Sequence, residues 1–166
     1  MTTITLESAP RSTVIAGTAA AESVADILER ELQVVIDEWL KRVNQEPEST
    51  CVPLSYEDRT GHLPQLLRDV IDRLRLYADT KAPISRAAAH HGDLRHQQGY
   101  TVAMVVDESR ILQVSLFTTL HNNVKRLEFS QLLPDIVTIA DEVDAQLKEQ
   151  MLRFMAADAT EKAKNK

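Results

Sequence analysis

Between Ala87 and Leu120 the chain sets side chains that can handle protons and charge beside its most apolar long stretch. The segment carries His90, His91, Arg95, His96, Tyr100, Asp107 and Glu108, together with Gly92 and Gly99. If Gly99 is the tip of an antiparallel helix hairpin, residues equidistant from it face one another. His90 and His91 then lie opposite Glu108 and Asp107, and Arg95 lies near Ala103. A carboxylate accepting from a histidine fixes the imidazole tautomer and raises its basicity. The spacing therefore predicts a polar, ligand-binding pocket formed by His91, Arg95, Tyr100 and Glu108. The competing expectation is a buried hydrogen-bonded network that only locks two helices together, since buried polar groups must be paired. A helix running straight through Gly99 would lose the Glu108 pairing but keep His91 and Arg95 on one face.

Other chemistries find less support. His90, His91, His96 and Glu108 are metal-ligating types, but no HExxH or CxxC pattern occurs and the spacings match no standard ligand set, so no metal is expected. Cys51 sits in a proline-flanked loop with no base beside it, and there is no GxSxG. Neither a GxxxxGK[ST] nor a GxGxxG phosphate loop is present. The expectation is a protein without catalytic residues, not an enzyme.

Helices must position the polar segment. Alternating strand patterns are absent, and 4 Gly and 6 Pro in 166 residues favour long helices. Leu28, Leu32, Val35, Ile36, Trp39, Leu40 and Val43 recur at helical spacing and predict a first helix over 22–44, with Trp39 as a core anchor. A second is predicted over 56–79, capped by Ser55 and kinked near Gly61–Pro64, where His62 reads as a surface or capping residue, with exposure to a pocket beside the break as the other reading. A turn over 80–83 leads to a short third helix, 84–98, rich in alanine and weakened by Gly92, with Gly99 ending it. The fourth, 100–125, is apolar nearly all round and so central.

The fifth helix, 130–157, starts at the candidate cap Ser130. Its apolar residues Leu133, Ile136, Ala140, Val143, Leu147, Met151 and Phe154 step by three and four, which is a coiled-coil-like seam. Val143, Leu147, Met151 and Phe154 are the candidate dimer contacts. The expected fold is all-α, a bundle of about five helices with a long C-terminal one. It comprises a loose tail over 1–21, one domain over 22–157 and a frayed end over 158–166.

Apolar residues make up 43% and charged residues 27%, within the globular range. A net charge of −6 with scattered basic residues argues against a nucleic-acid surface. No apolar run approaches the roughly 20 residues that span a bilayer. One cysteine cannot form an internal disulfide, which suits a reducing, cytoplasmic compartment.

The run His91-Gly92-x-x-Arg95-x-x-Gln98-Gly99-Tyr100, followed by Glu108 and Leu112, resembles the N-terminal helical sensor domain of RsbRD-type proteins. His62-Leu63-Pro64-x-Leu66-Leu67 is similar to that family's second-helix motif. The family includes RsbT co-antagonists of stressosome signalling and N-terminal domains of some sensor histidine kinases. The resemblance implies a cytoplasmic, non-enzymatic signal-transduction module, a homodimer that acts on a partner protein or a fused kinase or STAS-type output. Related input domains include globin-like dimers without haem, and the order here, a short helix with His90 and His91, a corner and two long helices, gives a second reading: haem or a small ligand held through His90 or His91. A third is a purely structural dimerisation module. No early phenylalanine is present to pack on a porphyrin, so Trp39 or Tyr56 would have to substitute.

Overall fold

The computed structural model describes residues 21–76 and 83–164. The tail expected over 1–21 and the turn expected over 80–83 fall almost wholly outside the described residues. Among those described, the only extended pairing is an isolated bridge between Glu22 and Leu127, and everything else regular is helical.

The predicted first helix is divided into α1 (Val24–Arg30) and α2 (Leu32–Val43). Ser23 caps α1 by accepting from the Asp26 N–H at 3.2 Å. The break falls at Glu31, where ψ turns to 15° with neither glycine nor proline present. A short helix, α3 (Pro47–Thr50), forms in the predicted loop. The second predicted helix is also divided, into α4 (Tyr56–Thr60) and α5 (Leu63–Arg75). Ser55 caps α4 on the Asp58 N–H at 3.0 Å. Pro64 stands in the first turn of α5, where its missing N–H has no intrahelical acceptor to lose. Helix α6 (Arg86–Gln97) begins at the cap Ser85, two residues later than expected. Gly99 follows at φ 79°, the left-handed geometry that ends helices and favours glycine. Helix α7 (Val102–Asn122) starts from Thr101 and supplies the central apolar faces. A 3-10 turn, Val124–Arg126, leads into α8 (Phe129–Lys164). With 36 residues, α8 is about 54 Å long and continues past the expected fraying point at Asp158.

The main core is built from α1, α2, α5, α7 and α8 around Trp39, Leu67, Leu116 and Ile139, all nearly inaccessible. A second, smaller core joins Tyr100, Met104 and Val105 to Phe154, with Leu147 and Met151 packed against it.

The second core takes up part of the expected seam. Val143 and Phe154 are buried within the chain, and Leu147 and Met151 are half-covered there, because α8 lies along α6 and α7 over most of its length. The apolar side chains that α8 exposes are instead Phe129, Leu133, Val137, Leu152 and Met155.

Helix α6 adds little apolar surface. Its buried residues are Ala88, His91, Gly92 and Arg95. It can approach α8 because Gly92 has no side chain: a Cβ there would lie 2.2 Å from the Gln150 carbonyl oxygen.

Candidate functional site

The α6–α7 hairpin turns at Gly99, so side chains from its two arms meet. Glu108, on α7, is buried at 3% exposure and receives three groups. Arg95 donates through Nε at 2.9 Å, the Tyr100 hydroxyl donates at 2.9 Å, and His91 Nε2 lies 3.4 Å away. The structure thus brings His91, Arg95, Tyr100 and Glu108 together. Arg95 meets Glu108 rather than Ala103, because the guanidinium reaches a full turn along the partner helix.

Arg95 also crosses to α4. It donates to the Asp58 carbonyl at 3.1 Å and the Arg59 carbonyl at 2.9 Å, two of the carbonyls a helix C-terminus leaves without partners. Gln98 Oε1 accepts from it at 2.6 Å, and the Tyr100 ring lies 4.6 Å beneath its guanidinium carbon. Arg59 is buried as well. It donates to the Tyr100 oxygen at 3.1 Å and to the Ser49 and Val52 carbonyls at 3.2 and 2.7 Å. The indole N–H of Trp39 donates to the Glu108 carbonyl at 3.1 Å, fixing α2 to the same turn of α7.

Burial pushes the Glu108 carboxyl up, but the His91 bond and the Arg95 charge outweigh it, so the net direction is down. Glu108 is therefore an anion balanced by Arg95. Burial lowers His91 and, more strongly, His62, and both imidazoles are neutral. The Tyr100 phenol is pushed up to about 12, mainly by burial and then by Glu108. It acts as a fixed donor and does not ionise.

His62 joins this group although the sequence reads it as a surface or capping residue. Its ring stacks on His91 with centroids 3.7 Å apart and planes 16° from parallel, and Trp39 meets it edge-on at 5.9 Å. The Nδ1 atoms of both histidines are shut off from solvent and have no hydrogen-bond partner among the described residues. One ligand atom each from His62, His91 and Glu108 lies within 4.8 Å of the others. A space of about 10 Å³ separates them, walled by Trp39, Leu66, Ser109 and Gln150.

That volume holds about one water molecule. It leaves no room for a porphyrin at His91 without parting the helices. His90 is exposed on the other side of α6, so the haem reading finds no site in this packing. His96 is also outside the cluster, lying 3.5 Å from Glu161 and edge-on to Phe154.

Sequence reasoning weighed a pocket position for His62 without linking it to His91, and missed Arg59 and a polar row on α8. Glu142, Gln146 and Gln150 recur every four residues and are all buried. Gln146 donates to the Leu66 carbonyl and to Glu142, both at 3.1 Å. The four-residue spacing was the available signal, and the neighbouring apolar seam masked it. A buried arginine in a five-residue helix gives no comparable signal.

Searched against protein-family models, curated proteins and solved structures, the chain matches none.

Proposed function

We propose that this chain is a non-enzymatic regulatory domain of the sensor type, in which the Glu108 network sets how the α6–α7 hairpin packs on α8. One observation carries this reading. A fully buried ionic group on α7 ties together α4, α6 and the Trp39 end of α2, and the space beside it is closed by Gln150 of α8. Perturbed ionisable groups concentrated at one buried junction are a common feature of functional sites. Interfaces with discrete packings convert small local changes into element movements. The α6–α8 contact sets Gly92 against the Gln150 backbone and His96 edge-on to Phe154, and Arg153 of α8 donates to Asp93 of α6. The resemblance of the His91–Tyr100 run to RsbRD-type sensor domains supports the same reading, with a cytoplasmic dimer and a partner or output reached through α8. No described helix is long and apolar enough to cross a membrane.

Hydrogen exchange tests the coupling. Glu108→Gln removes the charge but leaves an acceptor for Tyr100. Exchange is expected to speed up in α6 and also along α8 from Gln146 to Phe154. Acceleration confined to α6 and α7 would sink the proposal.

A further inference from the structure

We propose that His62, His91 and Glu108 form a binding site for one divalent first-row transition-metal ion. Three separate observations converge on it. The three side chains come from different elements, the start of α5, the middle of α6 and the middle of α7, yet their donor atoms lie within 4.8 Å of each other. A space lined by all three among the described residues has the volume of a single ion or water, about 10 Å³. A buried imidazole nitrogen without a partner is costly to leave unpaired, and among the described residues His62 Nδ1 is one.

The distances fit. His91 Nε2 and Glu108 Oε2 are 3.4 Å apart, long for a hydrogen bond. Two ligands on a tetrahedral ion with bonds of roughly 2.0–2.1 Å stand about 3.3–3.4 Å from each other. Two imidazoles and one carboxylate suit zinc, iron(II), cobalt(II) or nickel(II) better than calcium or magnesium, which take oxygen donors. Burial keeps both histidines neutral, as a ligand must be. Tyr100 holds the carboxylate through Oε1, and Arg95 donates to Oε2, the oxygen nearest His91, so both orient the ligand. Because Arg95 also offsets the Glu108 charge, the expected affinity is micromolar rather than that of a thiolate site.

Binding would also move something. An ion must lie near the plane of each imidazole it binds, and two nearly parallel rings 3.7 Å apart cannot both point at one ion. The rings must fan open, turning His91 on α6 away from His62 on α5. The site stands on geometry alone. The ion's role as the signal rests on the regulatory reading above.

The test is a cobalt(II) titration of chelator-stripped protein, followed by visible absorption and by quenching of Trp39, the sole tryptophan. One cobalt per chain is expected, with visible bands that zinc(II) displaces. His62→Ala should weaken binding at least tenfold. This side chain is half-buried and makes no hydrogen bond among the described residues, so the variant should fold, which far-UV circular dichroism checks. His90→Ala with His96→Ala, both outside the cluster, should leave binding unchanged. Absence of a saturable band, or a band that survives His62→Ala and vanishes in the His90/His96 double variant, would overturn the site. If cobalt binds with the expected ligand dependence but exchange along α8 does not change, the site stands and the regulatory reading falls. If Glu108→Gln accelerates α8 exchange but no ion binds, the reverse holds.

Discussion

Gly92→Ala sets two opposite magnitudes against each other. In an exposed helix interior, alanine replacing glycine stabilises by about 1 kcal/mol through helix propensity alone. Here the new Cβ would lie 2.2 Å from the Gln150 carbonyl oxygen and 2.9 Å from its carbonyl carbon and Cα. An ordinary contact needs about 3.4 Å, so α6 and α8 must part by about 1 Å, and the obstacle is backbone that no rotamer change can clear. Overpacking of this kind costs about 1–3 kcal/mol, with loosened contacts at Ala88, His91 and Arg95 added. The clash outweighs propensity, and the expected net loss is about 2 kcal/mol. For a chain of this length that is a drop in Tm of about 4–8 °C. Thermal unfolding followed at Trp39 and by far-UV circular dichroism reads it. An unchanged or raised Tm would show that α6 does not lie against α8 as described.

Three further outcomes follow from the same geometry. Glu108→Ala leaves Arg95 buried and unpaired, so a loss of about 3–5 kcal/mol is expected in urea unfolding, while Glu108→Gln, which keeps an acceptor, loses clearly less. Equal losses would deny the charge a role. Burial holds the Glu142 carboxyl above its usual range. A raised folded pKa means that protonation favours the fold, so the penalty is absent below the unfolded value of 4.5 and appears as pH rises through the folded one. Glu142→Gln should therefore stabilise by about 1 kcal/mol at pH 7 and lose that advantage by pH 4, and a gain independent of pH would refute the assignment. Leu147→Asp should lower Tm by the same amount at every protein concentration, because Leu147 packs inside the chain against Phe154 and its neighbours. A concentration-dependent change would restore the dimer-seam reading.

The helical pattern was legible because period carries it: the apolar positions on α2, α5 and α7 identify their buried faces without tertiary information. The hairpin argument from Gly99 brings the two arms together, but its symmetry pairs Glu108 with His90 and Arg95 with Ala103, whereas the structure sets His91 and Arg95 at Glu108 and leaves His90 exposed. What failed was whatever depends on a third element. His62 lies 29 residues from His91 and reaches it only because α4 and α5 break at Gly61. The seam on α8 had correct spacing, but spacing does not say whether the facing surface belongs to this chain or to another copy. Gly92 read as a weak point in α6, and its actual role, admitting the backbone of α8, involves a residue 58 positions away.

Glu22 is hydrogen-bonded through its N–H to the Arg126 carbonyl, and through its carbonyl to the N–H of Glu128. These two bonds close residues 22–128 into a non-covalent ring, with α1 through α7 inside it and α8 outside. Closing a loop of about one hundred residues costs on the order of 4 kcal/mol of chain entropy, which only non-local contacts can repay. The helix that follows the clasp is under no such constraint. Helix α8 is held by side-chain packing on α5, α6 and α7 rather than by enclosure, with Ile139, Val143 and Phe154 as its buried apolar anchors.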